Sequence, residues 1–477
     1  MLQPITKPLE ILFGAARHAA SGLQWLHGRL RRPAYGAASW ASQSQLNRVP
    51  TGFALGKLGG WRLQPRPVFA DPESCIIMVG QRGAGKSLTM GASLHHASGD
   101  TLLVFDPPGQ LLATHADALR ERGYRLVHID LDNPLAGVPF DPMVLLEGST
   151  RYTFERDVDT LARLVIGEVE GSGDSAAQHF AEMGVNLIAG VIAHLWSHAR
   201  EQCTMAEVAR ILSVGGPARR RKAFERMAAE ASNSVTRAAV NAFEEAGDRE
   251  RGSFATTLMR KLKPWTQAVA LDLCKREVGW TFDELFTLAE PVAVFLTGGV
   301  GAREATSPLT RMIVGQAAAT LSRLYNETRT PLARPVKLLL DEADNLGACA
   351  PLINIVTELR KQRVTAFLCV QSLEQLKRNY RGQYQTLLQN ADLIVCGGMK
   401  SPKEYLEISQ LIGTRTVNPI TKGPSSVSVG EAPRALMGID DLFAMPKTEH
   451  VAVLNGMAVK LLKPYTLRGG RVWYGRR

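Results

Sequence analysis

Short, unbroken apolar runs recur along this chain at residues 75–79, 102–105, 126–129, 292–296, 336–340, 366–370, 393–396 and 451–454. A run of four or five apolar residues without polar alternation predicts a strand buried on both faces. Helical patterns separate several of these runs, which predicts parallel strands joined by crossover helices. The fold class that follows is α/β, a mostly parallel sheet covered on both faces. From residue 150 to 278 the strand-like runs vanish. Helical periodicity with alanine-rich, charged faces replaces them, as in RRRKAFERMAAEA and SVTRAAVNAFEEA, and predicts an all-α insertion with a glycine hinge around Gly171 and Gly173. The expected organisation is a basic lead at 1–60, an α/β domain formed by 61–149 and 279–477, and the insertion at 150–278. GFALGKLGGWRLQPRP, punctuated by glycine and proline, reads as the end of the lead, and 423–433 (GPSSVSVGEAP) as an exposed loop.

Composition narrows the class of partner. A chain of 477 residues, 45% hydrophobic, has enough apolar content for two or three packed domains. Lysine and arginine exceed aspartate and glutamate by 56 to 45, and the net charge of +11 favours a polyanion or an anionic surface. The six cysteines form no CxxC pair, which excludes a zinc ribbon or disulfide framework and suits a reducing compartment. No apolar stretch approaches the roughly 18 residues needed to cross a bilayer. The least polar, 183–195, contains Asn186 and His194 and reads as a buried helix. Residues 11–30 are weakly amphipathic and run into Arg29, Arg31, Arg32 and Pro33, the pattern of a solvated helix or one resting on anionic lipid, and not of a signal peptide.

The chemistry begins where the first apolar run stops. Gly80, Gln81, Arg82, Gly83, Ala84, Gly85, Lys86 and Ser87 spell GQRGAGKS, the P-loop pattern, between a predicted strand and a predicted helix. The glycines let backbone N–H groups face phosphate oxygens, Lys86 supplies positive charge to the β- and γ-phosphates of ATP, and the Ser87 hydroxyl suits magnesium. Hydrolysis also needs carboxylates, and VKLLLDE ends a predicted strand in Asp341, a magnesium ligand candidate, and Glu342, which would orient water. The next strand ends in Gln371, a candidate sensor of the γ-phosphate, while Ser372 with Gln375 three residues on predicts a helix cap. ELRKQR, containing Arg360, Lys361 and Arg363, is expected near the catalytic edge of the sheet, with Arg360 as a candidate arginine finger for a neighbouring subunit. Arg219, Arg220, Arg221 and Lys222 form the densest basic run and are the DNA-binding candidates. Asp106 ends another strand and either borders the cleft or starts a turn; His194 and His198 have metal-compatible spacing but no further ligand nearby.

The order of these pieces resembles the type IV secretion coupling proteins, the TraG/TraD-type conjugative ATPases. The resemblance rests on YGAASWASQSQL and GFALGK before the P-loop, FDPPGQL after it, and then LLLDEADNLG, VQSLEQL and LIGTRTV. It implies a RecA-like nucleotide-binding domain with an inserted all-α domain, using ATP and Mg2+. It also implies a homo-hexamer that couples hydrolysis to transfer of DNA or protein toward a secretion channel, with relaxosome and secretion-channel proteins as partners. By matching position, Lys86 and Ser87 bind phosphate and magnesium, Asp341 and Glu342 form the Walker B pair, Gln371 is the sensor and Arg360 the finger candidate. The family's acidic-x-Lys-Gly-Glu motif is Asp106-Pro107-Pro108-Gly109-Gln110 here, without the lysine. The family's N-terminal transmembrane helices have no counterpart in the pattern, so a cytoplasmic protein, peripheral to the inner membrane, is expected. A DNA pump of the FtsK/HerA kind and a non-catalytic nucleotide-binding adaptor are the competing expectations.

Overall fold

A computed structural model describes residues 35–46, 49, 52–58, 67–167, 175–276, 280–301, 303–422, 427–454, 457–466 and 472–474. The basic stretch before Pro33 and the glycines at 171 and 173 lie outside the described residues.

Among those residues, one sheet of twelve strands organises the chain. In sequence they are β1 (Ser39–Trp40), β2 (Phe53–Leu58), β3 (Pro67–Ala70), β4 (Ile76–Val79), β5 (Thr101–Asp106), β6 (Arg125–Asp130), β7 (Val292–Thr297), β8 (Val336–Leu340), β9 (Val364–Val370), β10 (Leu393–Cys396), β11 (Glu449–Leu454) and β12 (Met457–Leu462). Their spatial order is β3-β2-β12-β11-β10-β4-β9-β8-β5-β7-β6, with β1 paired to β12. From β10 to β6 every pairing is parallel. From β10 outward to β3 every pairing is antiparallel.

The expected parallel core is therefore present, and each predicted run became a strand. The residues of β4 alternate between two cores. Ile77 and Val79 join the larger cluster, while Ile76 and Met78 pack with Met90, Leu94 and Leu111 on the other face. Both faces of the strand are buried, so it carries no polar alternation. The helices on that second face are α1 (Lys86–His95) and α2 (Gln110–Glu121).

Two strands, β2 and β3, lie where the pattern suggested only a punctuated lead. Their residues include Gly56, Lys57 and Pro67, which weaken a strand signal, yet β2 is held by β12 and by the Ser93 hydroxyl of α1, which accepts from the Ala54 amide at 3.1 Å. β3 is the edge and opens on Pro67, where a missing N–H is tolerated, while β2 is paired on both sides and its Gly56 sits where the register with β3 shifts.

Between β6 and β7 the chain leaves the sheet as helices: α3 (Phe154–Ile166), α4 (Ser175–His198), α5 (Gly216–Glu230), α6 (Ser234–Glu245) and α7 (Asp248–Leu262). Asn233 starts α6 by accepting the Thr236 amide at 2.8 Å, and Phe224 stacks on Phe243 at 4.2 Å to join α5 to α6. α4 has 24 residues and contains 183–195, which is part of a mostly buried helix as expected, although by length and composition alone the whole helix could span a bilayer. The chain rejoins the sheet at β7 and continues into α8 (Arg303–Thr328).

Candidate nucleotide-binding and hydrolysis site

In a parallel sheet the strands end along a common rim, and the loops that follow them build the site. Gly80 follows β4, Asp341 and Glu342 follow β8, and Gln371 follows β9. Because β9 lies between β4 and β8, Gln371 stands between the P-loop and the two carboxylates.

The P-loop backbone explains its glycines. A Cβ on Gly80 would lie 2.3 Å from the Gly397 carbonyl, and Gly85, at φ +86°, sits against the stem of Lys463. Gly85 is also the cap of α1, so the helix N-terminus faces the loop. The buried Lys86 ammonium donates to the Gly80 and Gln81 carbonyls at 2.6 and 3.4 Å. Ser87 donates its hydroxyl to Asp341 Oδ2 at 2.5 Å, joining two segments 254 residues apart. Burial pushes the Asp341 carboxyl above the usual range, opposed by the Ser87 hydrogen bond and the Lys86 charge.

Glu342 has a left-handed backbone, φ 54°, and opens the turn Ala343–Leu346. Its carboxylate accepts from Asn345 Nδ2 at 2.5 Å and from Gln371 Nε2 at 3.3 Å. Ser372 accepts the Gln375 amide at 3.1 Å, so this strand end both caps a helix and supplies an amide to the rim. Arg82, Gly83, Ala84, Gly85, Lys86, Ser87, Asp341, Glu342 and Gln371 line one cleft of about 1070 Å³, with α2 forming a further wall. Gln81 stays beside it, its amide on the Gly398 carbonyl at 3.4 Å.

The donor set fits magnesium nucleotide. A lysine and helix N-terminus meet phosphate charge, and a hydroxyl and a carboxylate already in contact can share a hard cation that keeps most of its water. Among the described residues no three metal-ligating side chains cluster, so His194 and His198 have no third ligand. They stack on each other at 4.7 Å, and His194 faces Glu230 at 3.6 Å.

Three sequence expectations need correction. Arg360 is at the opposite rim: it pairs with Asp392, the residue before β10, whose carboxylate also accepts the Cys75 amide just before β4. The chain must enter the parallel strand β9 at its N-terminal end, so a residue four positions ahead of Val364 cannot share the P-loop rim. Arg363, with φ 64°, caps the same turn and donates to the Ala333 carbonyl at 2.9 Å. Arg220 is buried, with Nε on the Leu212 carbonyl at 2.8 Å, so only Arg219, Arg221 and Lys222 are exposed. Its i, i+4, i+7 spacing with Phe224 and Met227 was the signal that placed it inward.

Asp106 is fully buried and caps α2, accepting the Leu111 and Leu112 amides at 2.7 and 3.0 Å. Burial raises its carboxyl to about 6, the two amides opposing and Asp341 adding to the rise. A folded-state pKa above the unfolded one means that the folded chain holds its proton longer as pH rises. Stability is therefore lost between about pH 4 and 6 and stays lower above. Asp106→Asn keeps an acceptor for the amides without the buried charge. Its stability relative to the parent, read from denaturant unfolding, is expected to rise by on the order of 2 kcal/mol from pH 4 to 7. A constant difference over that range would refute the account.

Sequence reasoning missed the loop Gly397–Gly398 beside the P-loop, the buried Lys463 beneath Gly85, and Asn345 on Glu342. Of these only Asn345 had a local signal, its position in the turn after the carboxylates.

Comparison with known proteins agrees with this geometry. The family profile described as type IV secretory system conjugative DNA transfer matches residues 40–465. The solved structure of the bacterial conjugative coupling protein TrwBdeltaN70, unbound, is similar over 92% of this chain and 95% of its own, with TM-score 0.69 and 17% identity. The plasmid coupling protein TrwB in complex with the ATP analogue ADPNP gives TM-score 0.70 at 16% identity, covering 92% and 96%. VirB4 of Thermoanaerobacter pseudethanolicus is similar at TM-score 0.51 and 13% identity, over 87% and 96%. Curated protein sequences return no match. A P-loop rim of this composition, on a sheet interrupted by a helical insertion and matched by the profile over nearly its whole length, makes the chain a member of the type IV secretory system conjugative DNA transfer family.

Proposed function

We propose that the protein is an ATP-hydrolysing coupling protein that drives DNA, or a DNA–protein complex, toward a type IV secretion channel. The observation that carries the reading is the junction of Ser87 with Asp341 and of Glu342 with Gln371 on one rim. Lys86 would hold phosphate charge, Ser87 and Asp341 would hold magnesium, and Glu342 would orient the attacking water with Gln371 beside it. Bound magnesium would neutralise charge on the transferred phosphoryl group. A nucleotide-binding adaptor has no use for the water-orienting pair. TrwB's complexes with ADP and Mg2+ and with ADPNP support the same cofactors here. The domain division into lead, RecA-like domain and insertion, a homo-hexamer, relaxosome and channel partners, and a cytoplasmic position where ATP is supplied belong to this proposal.

Turnover of the purified protein is expected to depend on magnesium and to rise with DNA, with single- and double-stranded DNA compared to identify the cargo. DNA affinity should fall steeply with salt and show little sequence preference. Replacing Arg219, Arg221 and Lys222 together by alanine is expected to shallow the log–log salt slope by roughly 0.9 for each duplex phosphate that these side chains neutralise in the parent. An unchanged slope would move the DNA path off α5, and no turnover under any condition would leave the adaptor reading in its place.

A further inference from the structure

The rim carboxylates and the helical insertion are joined through one buried cation. Arg311, on α8, is 7% exposed. Its Nη1 donates to the Leu346 carbonyl at 2.9 Å, its Nε to Leu164 at 2.7 Å and its Nη2 to Val165 at 3.3 Å. Leu346 closes the turn that Glu342 opens. Leu164 and Val165 belong to the last turn of α3, whose carbonyls lack partners within the helix and whose dipole favours a cation there.

Both ends of the link are shaped around the guanidinium. Gly167, the left-handed cap of α3, would place a Cβ 2.3 Å from Arg311 Cζ, and Gly347, which follows the rim turn, would place one 3.2 Å from Nη1. α8 itself packs against both α3 and the rim turn. A planar fork with separate donors on two segments makes their positions interdependent, because a shift of either carbonyl set costs hydrogen bonds in a buried place.

We propose that Arg311 is a positioning residue that couples the rim turn carrying Glu342 to helix α3, so that the nucleotide state of the site is felt in the insertion. This rests on the hydrolysis reading above. A plain structural staple would lower stability when removed but would leave nucleotide-dependent changes in α3 intact.

Hydrogen exchange of the full chain, with ADP and with a non-hydrolysable ATP analogue in magnesium, separates these. In the parent protein, peptides covering 341–347 and 154–166 are both expected to change protection between the two nucleotides. In Arg311→Met the first should still respond and the second should not, with kcat lowered about tenfold and KM nearly unchanged, the scale on which such networks act. Arg311→Lys keeps the cation but reaches one side at a time, so it is expected to restore folding stability without restoring the response of 154–166. A response of 154–166 that survives in Arg311→Met, or that is absent from the parent while 341–347 responds, overturns the proposal. Bound nucleotide would leave a signature at 80–87; its absence there and at 341–347 would overturn the hydrolysis reading and the coupling with it.

Discussion

Glu342→Gln is expected to bind ATP as tightly as the parent protein and to lose about 10² to 10⁴ in turnover, the usual contribution of a group that handles the attacking water's proton. Glutamine keeps the shape of the side chain but offers one carbonyl oxygen where the carboxylate offers two. Here the two oxygens have different partners, Asn345 and Gln371, so one must be given up. The groups that would hold phosphate lie elsewhere, on Lys86 and the loop amides, which is why binding should survive. Lys86→Ala is the complementary case. It removes the ammonium that Gly80 and Gln81 hold over the cleft, and both nucleotide binding and turnover should fall. Fluorescent-nucleotide titration and phosphate release measured on both variants give the two patterns. Parent-like turnover in Glu342→Gln would sink the assignment of that carboxylate.

Arg360→Ala is expected to lose roughly 10³ to 10⁵ in turnover if Arg360 serves a neighbouring subunit as an arginine finger. Its own P-loop is out of reach. β9 separates the two rims with seven residues, about 23 Å at 3.3 Å per residue. Only a second copy could bring a nucleotide to it. The pair with Asp392 should not obscure the result, because the arginine is half exposed and such surface pairs contribute at most about 1 kcal/mol. Folding and nucleotide binding should therefore persist. Mixing Arg360→Ala with Lys86→Ala should restore part of the activity, since a mixed ring contains interfaces with an intact P-loop facing an intact arginine. Parent-like turnover of Arg360→Ala alone would remove the finger from this position.

The legible parts of the site are those written in contiguous residues. GQRGAGKS and LLLDE each follow a buried strand directly, so the strand's end carries them to the rim with no further information. The fold was legible on the same terms: β4 to β11 announce themselves as apolar runs, while β12 and β2 do not. β12 is interrupted by the exposed Lys460 within MAVKLL, and β2 includes Gly56 and Lys57. Each pairs on one side with its neighbour in the chain, β12 with β11 and β2 with β3, but the pairing of β2 with β12, hundreds of residues apart, is a choice no local pattern records.

The sequence by itself determined the parallel core, the helical character of the insertion, and the identities of Lys86, Ser87, Asp341, Glu342 and Gln371. Each depends on periodicity or on residues adjacent in the chain. Tertiary structure alone decided that β9 separates β4 from β8, and so that Gln371 meets Glu342 beside the P-loop. It also set Arg311 between α3 and the Walker B turn. Arg220 and Arg360 are different, since helical spacing with Phe224 and Met227 turns the first inward and the direction of β9 sends the second to the far rim. The physical reason is common to Gln371 and Arg311. Which way a side chain faces, and what it meets, follows from the packing of elements distant in sequence, and for a charged residue the meeting decides whether it greets solvent, a partner or a carbonyl.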